Sequence, residues 1–154
     1  MRIMRWALLV LIIPVLVVGC AMMSRKKEPV KASPSLRAEF DQIQIEMAAG
    51  SEKKAQGRLK KLVANHPGTD VSDDALIMLG RISFKARDYQ AAYNHFIAVA
   101  NSDVFSPSEA EALLWAGKSL HRLGRPDEAL ALTQKSIKIP GISEEMKLEN
   151  YKLR

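Results

Sequence analysis

Few side chains in this chain could act as a nucleophile or hold a metal: one cysteine, Cys20, and three histidines, His66, His95 and His121. A lone cysteine excludes a disulfide within the chain and any cysteine-rich zinc site. No two histidines stand four apart on a helix face, and no glycine-rich phosphate loop follows a strand. The carboxylate pairs Asp73 and Asp74, Asp127 and Glu128, and Glu144 and Glu145 each fall where a helix begins. There the helix dipole favours negative charge without any catalytic role. The chain is therefore expected not to be an enzyme and to need no cofactor. What remains is recognition chemistry. Four bases, Arg81, Lys85, Lys118 and Arg122, form two pairs in which each member lies 37 residues from its counterpart.

The elements that must position them follow the same step. Gly80 returns as Gly117, Leu76 as Leu113, and Ala92 as Ala129; one step back, Ala92, Phe96 and Val99 fall on Ala55, Leu59 and Leu62. Apolar residues at helical spacing predict helices over about 34–49, 51–65, 71–86, 89–101 and 126–139, with a last one starting at Ser143. Ser106, Pro107, Ser108 and Glu109 read as a capping box with proline in the first helical position, opening a helix that ends at Gly124. Gly50 and Gly124 suit left-handed helix ends, and Arg87 occupies the equivalent place between them, where it would bear a steric penalty that glycine avoids. The fold expected is all-α, a stack of about three helical hairpins plus a C-terminal helix.

Composition is that of a globular chain of 154 residues with a net charge of +6. That balance suits acidic partners or an anionic membrane surface. No basic block is long enough to argue for nucleic acid. The first twenty positions stand apart: Arg2 and Arg5 precede an apolar run over 7–19, interrupted by Pro14 and ending in Val17, Val18, Gly19 and Cys20. A spanning helix needs about 20 apolar residues, whereas about 7–15 suit the core of a signal peptide.

This ending resembles the lipobox of bacterial lipoproteins. The resemblance implies a signal peptide over 1–19, cleavage before Cys20 and acylation of Cys20, which holds the protein to a membrane through two or three acyl chains. The alternative is an uncleaved anchor in which Cys20 is incidental. Ala21 and Met22 replace the aspartate that retains many such lipoproteins in the inner membrane, so the resemblance implies the outer membrane, facing the periplasm. Residues 20–33, with Arg25, Lys26 and Lys27, read as anchor and linker, a solvated tether rather than a lipid-binding segment.

Over 34–154 the pattern resembles the tetratricopeptide repeat: Leu79 with Gly80, Ala116 with Gly117, a small residue in each second helix (Ala55, Ala92, Ala129), Phe96 one turn later, and closing prolines Pro67 and Pro140. The step of 37 exceeds the usual 34, Leu59 and Thr133 replace the aromatic, and the first repeat lacks the Leu-Gly pair. The resemblance implies a superhelix with a concave protein-binding groove. Carried over by repeat position, its lining is Asp74, Ile77, Arg81, Phe84 and Lys85 in the second repeat, and Glu111, Leu114, Lys118, His121 and Arg122 in the third. The four bases favour an acidic segment of a partner, with Ile77, Phe84 and Leu114 as apolar contacts. A solvated helix face without ligand is the alternative.

Lipid-anchored proteins of this build resemble three envelope families: a component of outer-membrane β-barrel assembly, an activator of peptidoglycan synthesis, and a secretin pilotin. Assembly is the first expectation and the other two are alternatives. The helix from Ser143 is expected to cap the stack with Ile142, Met146 and Leu153 inward and Lys147, Glu149 and Lys152 outward, unless the chain is the front part of a longer protein.

Overall fold

The computed structural model describes residues 27–28, 30–103 and 106–152. Cys20, the signal-peptide segment and Leu153 lie outside the described residues. Seven helices follow in order: α1 (Pro34–Ala48), α2 (Glu52–Asn65), α3 (Asp70–Lys85), α4 (Tyr89–Ala100), α5 (Glu109–Arg122), α6 (Pro126–Ser136) and α7 (Glu144–Tyr151). The first six form three antiparallel hairpins, and no strand is present among the described residues.

Local chemistry fixes the ends. Ser33, Thr69, Asp88 and Ser143 each accept a backbone N–H three residues on, from Leu36, Ser72, Ala91 and Met146 respectively. The three hairpin turns share one design. Gly50, Arg87 and Gly124 have φ of 85°, 64° and 73°, so each takes the left-handed conformation. The N–H groups of these residues and of Ser51, Asp88 and Arg125 close the paired bonds of a Schellman motif onto the preceding helix. Arg87 thus adopts the backbone that its spacing from the two glycines predicts.

One helix start differs from expectation. α5 begins at Glu109, not at Pro107. Buried Ser106 uses its hydroxyl to accept the Ser108 N–H at 3.3 Å, so Pro107 and Ser108 form a turn ahead of the helix.

Two apolar clusters make the core, and α3 lies between them. Val71, Ala75, Leu79 and Ile82 on one side pack with Leu36, Phe40 and Ile43 of α1 and Ala55, Leu59 and Leu62 of α2. Ile77 on the other packs with Ala92, Phe96, Val99 and Ala100 of α4 and Ala112, Leu113 and Ala116 of α5. The closest approach is at Gly80. A Cβ placed there would lie 2.6 Å from the Phe96 ring. The equivalent Gly117 faces the smaller Thr133, whose Cγ2 would stand 3.1 Å away.

The segment expected to be a solvated tether is held at its described end. Val30 forms a parallel bridge with Thr69. Its N–H donates to Gly68 O at 3.4 Å, its carbonyl accepts from Asp70 N at 3.3 Å, and Lys27 N donates to Asp103 O at 2.9 Å. Asp70 completes the clasp, with Oδ1 accepting from Ala32 N at 2.9 Å and Oδ2 from Arg37 Nη2 at 2.5 Å. These interactions hold its carboxyl below the usual range although burial pulls the other way.

α7 also departs from expectation. Its buried residue is Asn150, while Leu148 and Tyr151 are 57% and 53% exposed. The Asn150 amide donates to Ser136 Oγ at 3.2 Å and to Met146 O at 2.9 Å, and Ser136 Oγ donates to Ala110 O at 2.9 Å. Glu149, expected outward, pairs with Lys118 of α5. A polar latch fixes this helix rather than an apolar face.

Two substitutions test this packing. Gly80→Ala overpacks against Phe96 and lowers stability by about 1–3 kcal/mol. Phe96→Leu, which installs the residue found at position 59, recovers part of that loss in the double variant. Arg87→Gly removes left-handed strain of about 1 kcal/mol and raises the urea midpoint. An unchanged midpoint would mean that the arginine bears no strain there.

Candidate functional site

Helices α1, α3, α5 and α7 alternate with α2, α4 and α6, and the expected lining residues belong to α3 and α5. Arg81 and Lys118 sit at equivalent points of these two helices and point toward the next helix of the same set. Arg81 pairs with Glu111 of α5, and Lys118 with Glu149 of α7. Lys85 pairs with Glu52 at the start of α2 at 3.1 Å. Three of the four bases expected to face a partner are thus engaged by carboxylates of the chain itself. Arg122 and His121 are exposed on the last turn of α5.

Between Arg81 and Lys118 stands Trp115. The Lys118 Nζ lies 4.4 Å from its ring centroid and the Arg81 guanidinium carbon 5.6 Å away, both within the range of cation–π attraction. Phe96 stacks on the indole with centroids 5.9 Å apart, and Phe84 meets it edge-on at 5.3 Å. Phe84 in turn contacts Tyr89 at 5.2 Å. The aromatic that closes the α3–α4 hairpin therefore also supports the floor of the groove.

A shallow, open pocket of about 260 Å³ lies over this floor, lined by Arg81, Glu111, Leu114 and Trp115 on α3 and α5 and by Ser143, Glu145, Met146 and Glu149 at α7. Of the expected lining, Arg81, Glu111 and Leu114 come together here. Ile77 does not face the groove; it is buried in the second core cluster. Phe84 is half-buried and acts through Trp115, and Lys85, Lys118, His121 and Arg122 lie outside the pocket lining, Lys118 meeting it only through its contact with the Trp115 ring. Asp74 is partly buried on α3, where desolvation, with Asp70 and Glu111 nearby, raises its pKa against the opposing pull of Arg37.

Sequence reasoning missed Trp115 and the contribution of α7. Trp115 falls on Met78 under the 37-residue step, so no aromatic repeats there to mark it. A large aromatic two positions before a helix glycine that packs closely was the available signal. α7 was read by apolar periodicity, which its buried asparagine does not follow.

The arrangement offers an apolar floor between two cations whose carboxylate partners come from neighbouring helices. It can hold an apolar side chain flanked by acidic groups. It presents no nucleophile paired with a base.

Glu149 gives a pH test. Its hydrogen bond and charge pairing with Lys118 hold its pKa below the ordinary glutamate value of 4.5, against a smaller effect of burial. A depressed carboxylate stabilises the docked state above its unfolded pKa and loses that contribution as pH falls through the folded one. Amide exchange in 146–151 should therefore accelerate selectively as pH drops below about 4.5, beyond the intrinsic pH dependence of exchange. In Glu149→Gln the selective change should vanish and protection at neutral pH should already be reduced. Equal profiles in the two proteins would exclude the pair as what holds α7.

The family model for the tetratricopeptide repeat matches residues 77–141, which covers the second half of α3 through α6. No curated protein matches the chain. The segment from Ile77 to Gly141 is similar to the tetratricopeptide repeat, and the helical stack described here has the form of that superhelix.

Proposed function

We propose that this protein is a lipid-anchored, non-catalytic scaffold of the bacterial envelope whose concave groove binds a segment of another envelope protein. The observation that carries the reading is the open pocket over Trp115 on a tetratricopeptide-repeat stack. Repeats of this kind bind proteins, and the pocket offers an aromatic anchor site of the type that dominates such contacts.

The partner segment is acidic with an apolar residue at its centre. Arg81 and Lys118 already hold carboxylates supplied by Glu111 and Glu149, so a partner carboxylate exchanges with these groups rather than meeting bare cations. Each exchange swaps one partly exposed ion pair for another, and such pairs differ by less than about 1 kcal/mol. Affinity then comes from the apolar side chain on Trp115, and the charges set orientation.

The place of action rests on the sequence preceding the stack. The apolar run over 7–19 and the ending in Gly19 and Cys20 support export and lipid attachment at Cys20, and Ala21 and Met22, in place of a retaining aspartate, support an outer-membrane site facing the periplasm. Among envelope roles, assembly of outer-membrane β-barrel proteins is the reading put to test, with control of peptidoglycan synthesis as the alternative.

A photo-crosslinking residue at Glu111, used in intact cells, reports the partner directly. The expected product is a periplasmic domain of a barrel protein or its assembly factor, and its yield should fall at least about tenfold when Trp115→Ala removes the anchor contact. A product unaffected by Trp115→Ala would overturn the groove reading, and one containing a peptidoglycan synthase would favour the alternative. In the same cells Cys20→Ala should shift the protein out of the outer-membrane fraction; retention there would defeat lipid attachment.

A further inference from the structure

The face of α2 turned away from the core carries lysines with no carboxylate among them. At 100° per residue, Ala55, Leu59 and Leu62 define the buried side, and Lys53, Gly57, Lys60, Lys61 and Ala64 fall opposite. All five are exposed. The other bases of the helix are used internally. Arg58 pairs with Glu46 at 3.0 Å and Glu39 at 3.5 Å, and Lys54 pairs with Glu46 at 3.2 Å. α4 beside it carries no carboxylate, and its exposed residues are Gln90, Asn94 and Ala98. Lys60 lies close enough to this helix for its charge to act on His95. Burial and then the charge of Lys60 hold the His95 pKa below its ordinary value, so protonation of His95 adds nothing to the face near neutral pH. The acidic start of α6, Asp127 and Glu128, belongs to the end of that helix at the Gly124 turn, and Glu128 is engaged by Arg125 at 2.6 Å.

The position of this face relative to the chain's entry is fixed by the clasp at Val30. That residue bridges to Thr69 just beyond the end of α2, and Lys60 and Lys61 lie within about 8 Å of that end along the helix axis. The strap that leads in carries exposed Lys27, Glu28 and Lys31, a further net positive charge. From Cys20 to Lys27 the chain spans at most about 25 Å.

We infer that the outward face of α2, with the strap beside it, is a docking surface for anionic lipid headgroups, which lays the convex side of the stack on the membrane and turns the groove away from it. The inference rests on membrane attachment near Cys20, since that attachment brings the face within reach of a bilayer. Charge complementarity selects an anionic surface. Continuity with the strap selects a membrane over nucleic acid, because the chain enters the fold at the same edge from a stretch whose sequence is apolar over 7–19. The only apolar side chain on the face, Ala64, is too small to insert, so binding is electrostatic and lies at headgroup depth.

The test uses the processed chain from position 20 onward with Cys20→Ser, so that neither the apolar run over 7–19 nor acyl chains saturate binding, and compares it with the same chain carrying Lys53→Gln, Lys60→Gln and Lys61→Gln. Partition is measured on vesicles of phosphatidylcholine alone and of phosphatidylcholine with about 30% phosphatidylglycerol, each lysine being expected to contribute about fivefold on the anionic surface. The two proteins should bind neutral vesicles equally and differ on the order of 100-fold on anionic ones, with the difference collapsing in about 1 M salt. Equal partition on anionic vesicles, with circular dichroism unchanged, would overturn the proposal. So would lysine-dependent binding to a short DNA duplex without a vesicle effect. Failure of lipid attachment itself is read separately, from the fractionation of Cys20→Ala, so the two outcomes do not mask each other.

Discussion

The contact on which the stack depends is a phenyl ring over a missing side chain. Phe96 lies against Gly80 so closely that a single added carbon would meet the ring at 2.6 Å. This lets α4 approach α3 and sends the ring through to stack on Trp115 of α5, so one residue joins three helices. Interiors packed at crystal-like density transmit such constraints instead of absorbing them. The position of the groove floor is therefore set from within the preceding hairpin. The third hairpin solves the same geometry with Gly117 and a threonine, and the buried Thr133 hydroxyl is satisfied within its own helix by Leu130 O.

A second constraint governs the groove. Neighbouring helices of the concave set are joined by a base on one and a carboxylate on the next: Arg37 to Asp70, Arg81 to Glu111, Lys118 to Glu149. The recurrence makes these pairs part of how the superhelix is laced, though each pair alone is weak because it is partly exposed. The same groups that hold the helices in register also face any ligand. In the binding mode proposed above, a partner that takes a carboxylate's place would loosen one of these laces as it forms another.

The hairpins, their small-residue contacts and even the left-handed Arg87 were legible in the sequence, because each reflects a local rule repeated at fixed spacing. Steric demands at Gly50, Arg87 and Gly124 recur every 37 residues whatever lies around them. The groove was legible only in part. Repeat position located Arg81 and Lys118 but could not reveal that Glu111 and Glu149 would neutralise them, since those partners depend on how far each helix is translated along the next. Ile77 was placed in the groove by analogy and is in the core because α3 packs on both sides. Asn150 defeated a reading based on apolar periodicity, as a buried polar residue must when its partner, Ser136, lies on another helix.

The strap at Lys27 and Val30 has a mechanical consequence. Tension applied from the N-terminal side would not load the end of α1 first. It would reach the loop at Asp103, between the second and third hairpins, through one hydrogen bond, and then the turn before α3 through the two bonds of Val30, to Gly68 O and from Asp70 N. Bonds loaded one after another peel at low force, whereas bonds loaded together in shear resist. Pulling would thus free the strap step by step up to the Ala32 N–H held by Asp70 Oδ1, beyond which Arg37, held by Oδ2 of the same carboxylate, already lies in α1. The strap would thus lengthen by several residues before α1 itself is pulled.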